Sequence, residues 1–471
     1  MTMRAAVARR ADPVALSVAA ALGLLALVAL AAPGAIGPAL ALLALAALAI
    51  ATYARPGAAL VLWLALVTTS PEFWLGNLLH AHETVIALLK AAEFAIIGLA
   101  ALRLGPRLDR FNPTFAFGAI FTAGLFHGLW PSLTLLASVR SLFGATAPFA
   151  TGFMRMDRRL RRAIIRTVIA GPLLSVLLGL VLMAAGLRGM VNFEQGAARL
   201  YASSSPAFLG GFCVIAVYAG TAELLATGAR RELAWLALNF AILIATGARA
   251  PLVLGAAVFG LSLLTIPAPL ISLRLRLAIV LAGFALLGLA LMAASALTSI
   301  RVIDLIRLGE AGDLSNRTLI WPYFLDAIAR SPWLGWGLGA GKVVVPLHSH
   351  IGRLLGTNAA HDEYLRITTD GGVLGATLLF AMLGLWLWDG SRHLALAHRR
   401  VVRLAFLAFA IQSATDNTLI ATTSLAFFTW ARAVFAVEPD ADEPTEENAS
   451  HDTGRAITSK SRLPHGIAPP G

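Results

Sequence analysis

The stretch NAAHDEYLRITTDGG at 358–372 sets His361, Asp362, Glu363, Tyr364, Arg366 and Asp370 within ten residues. An imidazole ordinarily titrates near pH 6.5, so it can take a proton from a weak nucleophile such as a hydroxyl at neutral pH. Arginine brings a planar fork of donors that can bind two phosphate oxygens at once. A second chemistry is open to the histidines: His348, His350 and His361, with Asp362 or Glu363, have the donor types of a metal site. Alternate histidines face one way only on a strand, however, and this region does not read as one. A plain solvated loop also accounts for His348 and His350. The expectation is a proton-transfer site at His361 with no metal and no cofactor. Glu363, Tyr364 and Arg366 would touch the substrate or orient the imidazole.

The elements that must hold these residues are read from the rest of the chain. Hydrophobic residues make up 58% of it and charged residues 13%, with a mean hydropathy of +0.78. Soluble domains carry about 25% charged residues, so half the usual polar surface is missing. Apolar runs of about 20 residues, the length that crosses a bilayer, follow one another almost from end to end. The fold class is therefore all-α, a polytopic integral membrane protein with about 12–14 transmembrane helices. Spans are expected near 15–32, 35–53, 57–75, 84–102, 112–128, 131–151, 163–185, 207–227, 232–247, 251–269, 277–297, 371–388, 401–418 and 421–437. The arginines near the N-terminus resemble a signal peptide, but a second apolar run follows at once, so a retained first helix is expected. The single cysteine, Cys213, excludes a disulfide framework.

The net charge of +12 does not imply nucleic acid, because the basic residues sit in short clusters between apolar runs. With a cytoplasmic N-terminus, every cluster falls inside: Arg55; Arg103, Arg107 and Arg110; the run MRMDRRLRR at 154–162; Arg230 and Arg231; Arg274 and Arg276; and Arg392, Arg399, Arg400 and Arg403. Two longer connections then lie outside, at 186–206 and 298–370, and the second holds His361. Within it, SNRTLIWPYFLDAIARSP has helical apolar spacing, Ser315 or Asn316 could cap its start, and WLGWGLGAG makes a glycine-rich turn. Those glycines follow no strand, so they do not read as a nucleotide loop. Arg199, Arg249 and Arg317 all map to the outer side. Snorkelling to lipid headgroups explains any one of them, and three together less well. Glu93 and Arg140 fall mid-span and are expected to pair, because an unpaired charge there is costly. Asp416 lies near the outer end of its span and could face the same cavity as His361.

The order SNRTLIW, PWLGWGLGAG, HDEYLRITTDGGVLG resembles the O-antigen ligase and polymerase superfamily over about 190–390. ARLYASSSPAFLGGF at 198–212 resembles that family's arginine-containing loop, and ATGARAPLVLG at 245–255 its arginine-bearing turn. Asp362, Ala248 and the Pro206-Ala207 pair depart from the family's usual residues. The resemblance implies three regions: N-terminal transmembrane helices at 1–190, a catalytic membrane domain at 191–437 including the loop, and a disordered cytoplasmic tail at 438–471. It implies an enzyme of the bacterial inner membrane whose active site faces the periplasm. A glycan on undecaprenyl diphosphate would pass to a hydroxyl of lipid A–core, or of another lipid-linked glycan if the protein is a polymerase. His361 would be the general base, and Arg199, Arg249 and Arg317 would bind the diphosphate. No ATP would be needed, and the only other partners would be membrane lipids. The His–Gly spacing tilts the reading towards a ligase. A transporter or flippase is the rival reading, and it would string ionisable residues along the midplane.

Overall fold

Proline, glycine and short polar residues punctuate this apolar chain, and the helices begin and end where they stand. The computed structural model describes residues 46–194, 197–267, 271–293, 319–346, 353 and 358–436. The expected first span, Arg317, His348, His350 and the 438–471 tail lie outside the described residues.

The chain runs α1 (Ala46–Ala54), α2 (Pro56–Thr68), α3 (Pro71–Leu79), α4 (His82–Leu104), α5 (Thr114–His127) and α6 (Leu135–Thr146). A 3-10 turn, Ala147–Phe153, leads to α7 (Arg158–Ala184). An antiparallel hairpin follows, β1 (Val191–Glu194) with β2 (Ala197–Leu200), pairing Asn192 with Arg199. The remaining helices are α8 (Pro206–Thr227), α9 (Arg230–Thr246), α10 (Arg249–Thr265), α11 (Leu273–Ala293), α12 (Trp321–Arg330), α13 (Glu363–Ser391), α14 (Leu396–Ser413) and α15 (Thr422–Phe435). Among the described residues α4, α7, α8 and α13 are long and apolar enough to cross a membrane, and α1 with α2 make a fifth candidate bent by 115°. This is an all-α polytopic membrane protein.

Side-chain caps fix several starts. Asp157 accepts from the Leu160 amide at 2.7 Å to open α7, and Ser205 accepts from Phe208 at 3.3 Å to open α8. Such caps each contribute about 1 kcal/mol. Helix α8 is the central post. Of its best apolar window, 89% is buried inside the protein, against 28–39% for the other three long helices. It packs on α7, α9, α10, α14 and α15. The other long helices keep large apolar side chains such as Leu88, Val181 and Leu374 exposed, which suits a lipid-facing surface.

The basic clusters collect at one end of the bundle. Arg107 N–H bonds the Phe153 carbonyl, Arg166 pairs with Glu232 at 2.8 Å, and His398 lies 3.5 Å from Glu223. Arg400 reaches the Thr265 carbonyl, and Asp109 receives both Arg432 at 2.9 Å and the Trp386 indole N–H at 3.1 Å. The arginine pattern in the sequence thus corresponds to one physical face.

Arg140 does not pair with Glu93. It lies 3.0 Å from Glu83 in a largely exposed ion pair, because the expected 131–151 span is a short α6 followed by the 3-10 turn. Glu93 is fully buried on α4, and its nearest opposite charge is Lys90, one turn away.

Helix α13 carries the feature that shapes the opposite end. Its axis breaks at Gly372, where φ is +61° and ψ is −171°. The segment 332–337 fills the gap with main-chain bonds. Trp336 and Gly337 N–H donate to the Thr369 and Asp370 carbonyls at 3.0 and 2.9 Å, while Val373 and Leu374 N–H donate to the Pro332 and Trp333 carbonyls at 2.8 and 3.2 Å. A broken helix in an apolar setting persists only when its freed backbone groups are re-satisfied in this way. The position demands glycine on a second count, since a Cβ there would stand 2.2 Å from the Trp333 carbonyl carbon.

Candidate active site

At the end of the bundle away from the basic face, five helices begin: α3, α8, α10, α13 and α15. Contacts tie their first turns together. Ser70 and Ser204 hydroxyls meet at 2.6 Å, and the Thr422 hydroxyl donates to Glu72 at 2.6 Å. A Cβ on Gly210 would come within 2.5 Å of the Ala248 Cβ, and one on Gly211 within 2.8 Å of Thr423. Helix starts present unpaired N–H groups and a partial positive charge, so a ring of them favours an anion.

His361 immediately precedes the Asp362 cap of α13 and has a left-handed backbone, φ +48°. Non-glycine residues are uncommon in that region, and such residues cluster at functional sites. Its side chain is 31% exposed, and Nδ1 lies 3.9 Å from an Asp416 carboxylate oxygen. Asp362 accepts from the Leu365 amide at 3.0 Å. Asp and Asn cap equally well, so the Asp362 departure from the family pattern preserves the local physics.

The arginines gather one helix away. Arg199 Nε donates to the Thr246 carbonyl at 3.0 Å, and Arg249 is the first residue of α10, three positions after Thr246. The α9–α10 turn therefore brings Arg199 and Arg249 together. The first turn of α8 packs between two neighbours, with Gly210 against Ala248 and Gly211 against Thr423. Arg317 is outside the described residues, so its place relative to the pair is not part of this geometry.

Glu363, Arg366 and Tyr364 sit differently. Arg366 is 2% exposed, pairs with Glu363, and bonds Asp370 at 3.0 Å. Asp370 in turn accepts from the Gly341 amide at 2.7 Å. This buried triad fastens the upper half of α13 to the glycine-rich loop. Tyr364 donates to the Ala410 carbonyl at 2.8 Å and lies over Phe380, locking α13 to α14.

Two further cations belong to this end and were not singled out in the sequence. Arg188 lies over the Tyr201 ring at 4.8 Å and donates to the Ser203 and Ser204 carbonyls. Lys342 donates to the Ser141 hydroxyl at 3.3 Å. Burial, and then the Arg366 charge, pull its amine below the usual lysine range, with Asp370 acting the other way. Both residues fall in the two longer connections expected outside, against the inward excess of Lys and Arg, and that position was the available signal.

Residues 233–380 match the family model described as O-Antigen ligase. Over that stretch, about a third of the chain, the protein is similar to the O-antigen ligase family. No curated protein matches it. The O-antigen ligase segment begins in α9 and ends in α13, so it includes Arg249, Arg317, His361 and the Gly372 break. Arg199 and Asp416 lie outside it and join the site through the tertiary contacts above. The family comprises glycosyltransferase-like ligases and polymerases whose substrates are lipid-linked glycans.

Proposed function

We propose that this protein is an O-antigen ligase-like glycosyltransferase of the bacterial inner membrane. It transfers a glycan from undecaprenyl diphosphate to a hydroxyl of lipid A–core at the periplasmic face. His361 takes the proton as the acceptor O–H bond breaks. The freed oxygen forms a bond to the anomeric carbon of the donor sugar. The bond from that carbon to the diphosphate oxygen breaks, and the electron pair leaves with undecaprenyl diphosphate. The leaving group is stable as an anion, so a base and a cationic cradle suffice, and the energy comes from the donor's own sugar–diphosphate bond.

The observation that carries this reading is the left-handed His361 held 3.9 Å from Asp416, at the end of the bundle where Arg249 starts a helix and Arg199 bonds the turn before it. The two arginines and Arg317 bind the diphosphate, and Asp416 orients and supports the imidazolium. The same machinery serves a polymerase if the acceptor is another lipid-linked glycan. Labelled glycan on a lipid donor, offered to each acceptor in membranes, separates the two products by size and lipid anchor. His361→Ala lowers transfer by about 10²–10⁴-fold, the range of a positioned general base; full transfer by that variant refutes the assignment. Arg199→Ala and Arg249→Ala weaken donor binding, and unchanged donor affinity in both removes the diphosphate role.

A further inference from the structure

The first turn of α8 has two sides, Gly210 packing against Ala248 on one and Gly211 against Thr423 on the other. On the Gly211 side a crevice opens between α8, α14 and α15. Its cavity volume is about 30 Å³, so it seats the edge of a ligand rather than enclosing it. Gln412, Asp416 and Thr423 line it, together with Phe409, Phe427 and Tyr218. Phe409 and Phe427 stack with ring centres 4.7 Å apart and planes 11° apart.

The lining contains no Lys, Arg or His, so it does not suit a diphosphate. A polyprenyl chain would suit the aromatic part but would leave the Gln412 amide and the Thr423 hydroxyl unpaired against hydrocarbon. A sugar ring satisfies both kinds of surface: its hydroxyls pair with Gln412, Thr423 and Asp416, and its C–H face lies on the aromatic rings. The Gln412 amide, the Thr423 hydroxyl and the Tyr218 hydroxyl make no hydrogen bond among the described residues, so they are available to a ligand. Asp416 belongs to the crevice and also lies 3.9 Å from His361. A ring seated there presents its rim to the base, which is where the attacking hydroxyl must be.

We propose that this crevice is the acceptor subsite, taking the terminal sugar ring of the acceptor, with Gln412 and Thr423 as its specificity-determining residues. The arrangement puts donor diphosphate and acceptor sugar on opposite sides of one helix turn, with Gly210 and Gly211 providing the close approach on each side. The inference rests on the reading of His361 as the base.

The test titrates acceptor at fixed undecaprenyl-diphosphate glycan, using lipid A–core or a second lipid-linked glycan, whichever the wild type elongates. Gln412→Ala and Thr423→Val each remove one neutral hydrogen bond, so KM for the acceptor rises about three- to tenfold. kcat, KM for the donor and heat stability in detergent stay within twofold of wild type. A rise in donor KM instead assigns the crevice to the donor and overturns the proposal. So does an unmoved acceptor KM, or a loss of activity that tracks a loss of heat stability. His361→Ala is run alongside. If wild type transfers glycan and His361→Ala does not, a null result at Gln412 and Thr423 sinks the acceptor subsite alone. If wild type transfers nothing, or His361→Ala transfers normally, the underlying reading fails and takes the subsite with it.

Discussion

Removing the Arg366 guanidinium tests whether the upper half of α13 is held by charge. Its side chain is almost fully enclosed, and so are those of Glu363 and Asp370, which it bridges. Asp370 keeps the backbone N–H donors of Gly341, at 2.7 Å, and Gly339, whereas Glu363 Oε2 has no hydrogen-bond partner among the described residues. Arg366→Met therefore leaves two buried carboxyl groups whose remaining partners are the Gly339 and Gly341 amides on Asp370. Breaking a buried pair from one side costs about 3–5 kcal/mol, because the remaining charge is uncompensated. Neutralising the whole triad should remove most of that penalty. The variant carrying Arg366→Met, Glu363→Gln and Asp370→Asn is expected within about 1–2 kcal/mol of wild type, since an Asn oxygen can still accept from Gly341. The assay is the surviving monodisperse fraction after heating in detergent, read by size-exclusion chromatography, together with glycan transfer. Unfolding of such a protein is a rate process, so half-lives at one temperature are compared. The reasoning is refuted if the single variant loses less than about 1 kcal/mol, or if the triple variant is as unstable as the single.

Gly372→Ala forces a side chain into a left-handed position 2.2 Å from the Trp333 backbone, so it costs more than the ~1 kcal/mol of backbone strain alone and exposes the 332–337 loop to limited proteolysis. Unchanged proteolysis would show that the break is not load-specific to glycine. Arg140→Ala changes heat stability by under about 1 kcal/mol, because both Arg140 and Glu83 are more than half exposed and water screens their attraction; a loss like that of Arg366→Met would contradict this. Asp416→Asn slows transfer about three- to tenfold while leaving donor binding unchanged, since a half-exposed carboxylate 3.9 Å away gives a screened interaction of about 1 kcal/mol. A drop as large as that of His361→Ala would instead place Asp416 in the proton transfer itself.

Particular residues show how much was legible beforehand. The membrane class follows from apolar runs that need no partner to be recognised, and the basic face follows from arginines counted loop by loop. The cap expected at Ser315 or Asn316 lies outside the described residues, and Asp157, Ser205 and Asp362 cap helices although they were not singled out as caps in the sequence. The Arg140–Glu93 pairing failed because span boundaries in hydropathy are soft, and α6 is shorter than its apolar run. The hairpin that carries Arg199 was not expected either, since two four-residue strands leave almost no periodic signal.

What the sequence determined by itself is the class of surroundings and the presence of the chemistry: helices in a bilayer, an imidazole at 361, and arginines on the side away from the basic face. Those properties are local, fixed by hydropathy, spacing and charge along the chain. Only the tertiary structure decided that Arg199 meets the Thr246–Arg249 turn, that Asp416 stands beside His361, and that Arg366 is a buried strut. These residues are joined across separations of roughly fifty residues, or buried by helices whose packing is set by side-chain shape. Chain order carries no record of which side of α8 each will face.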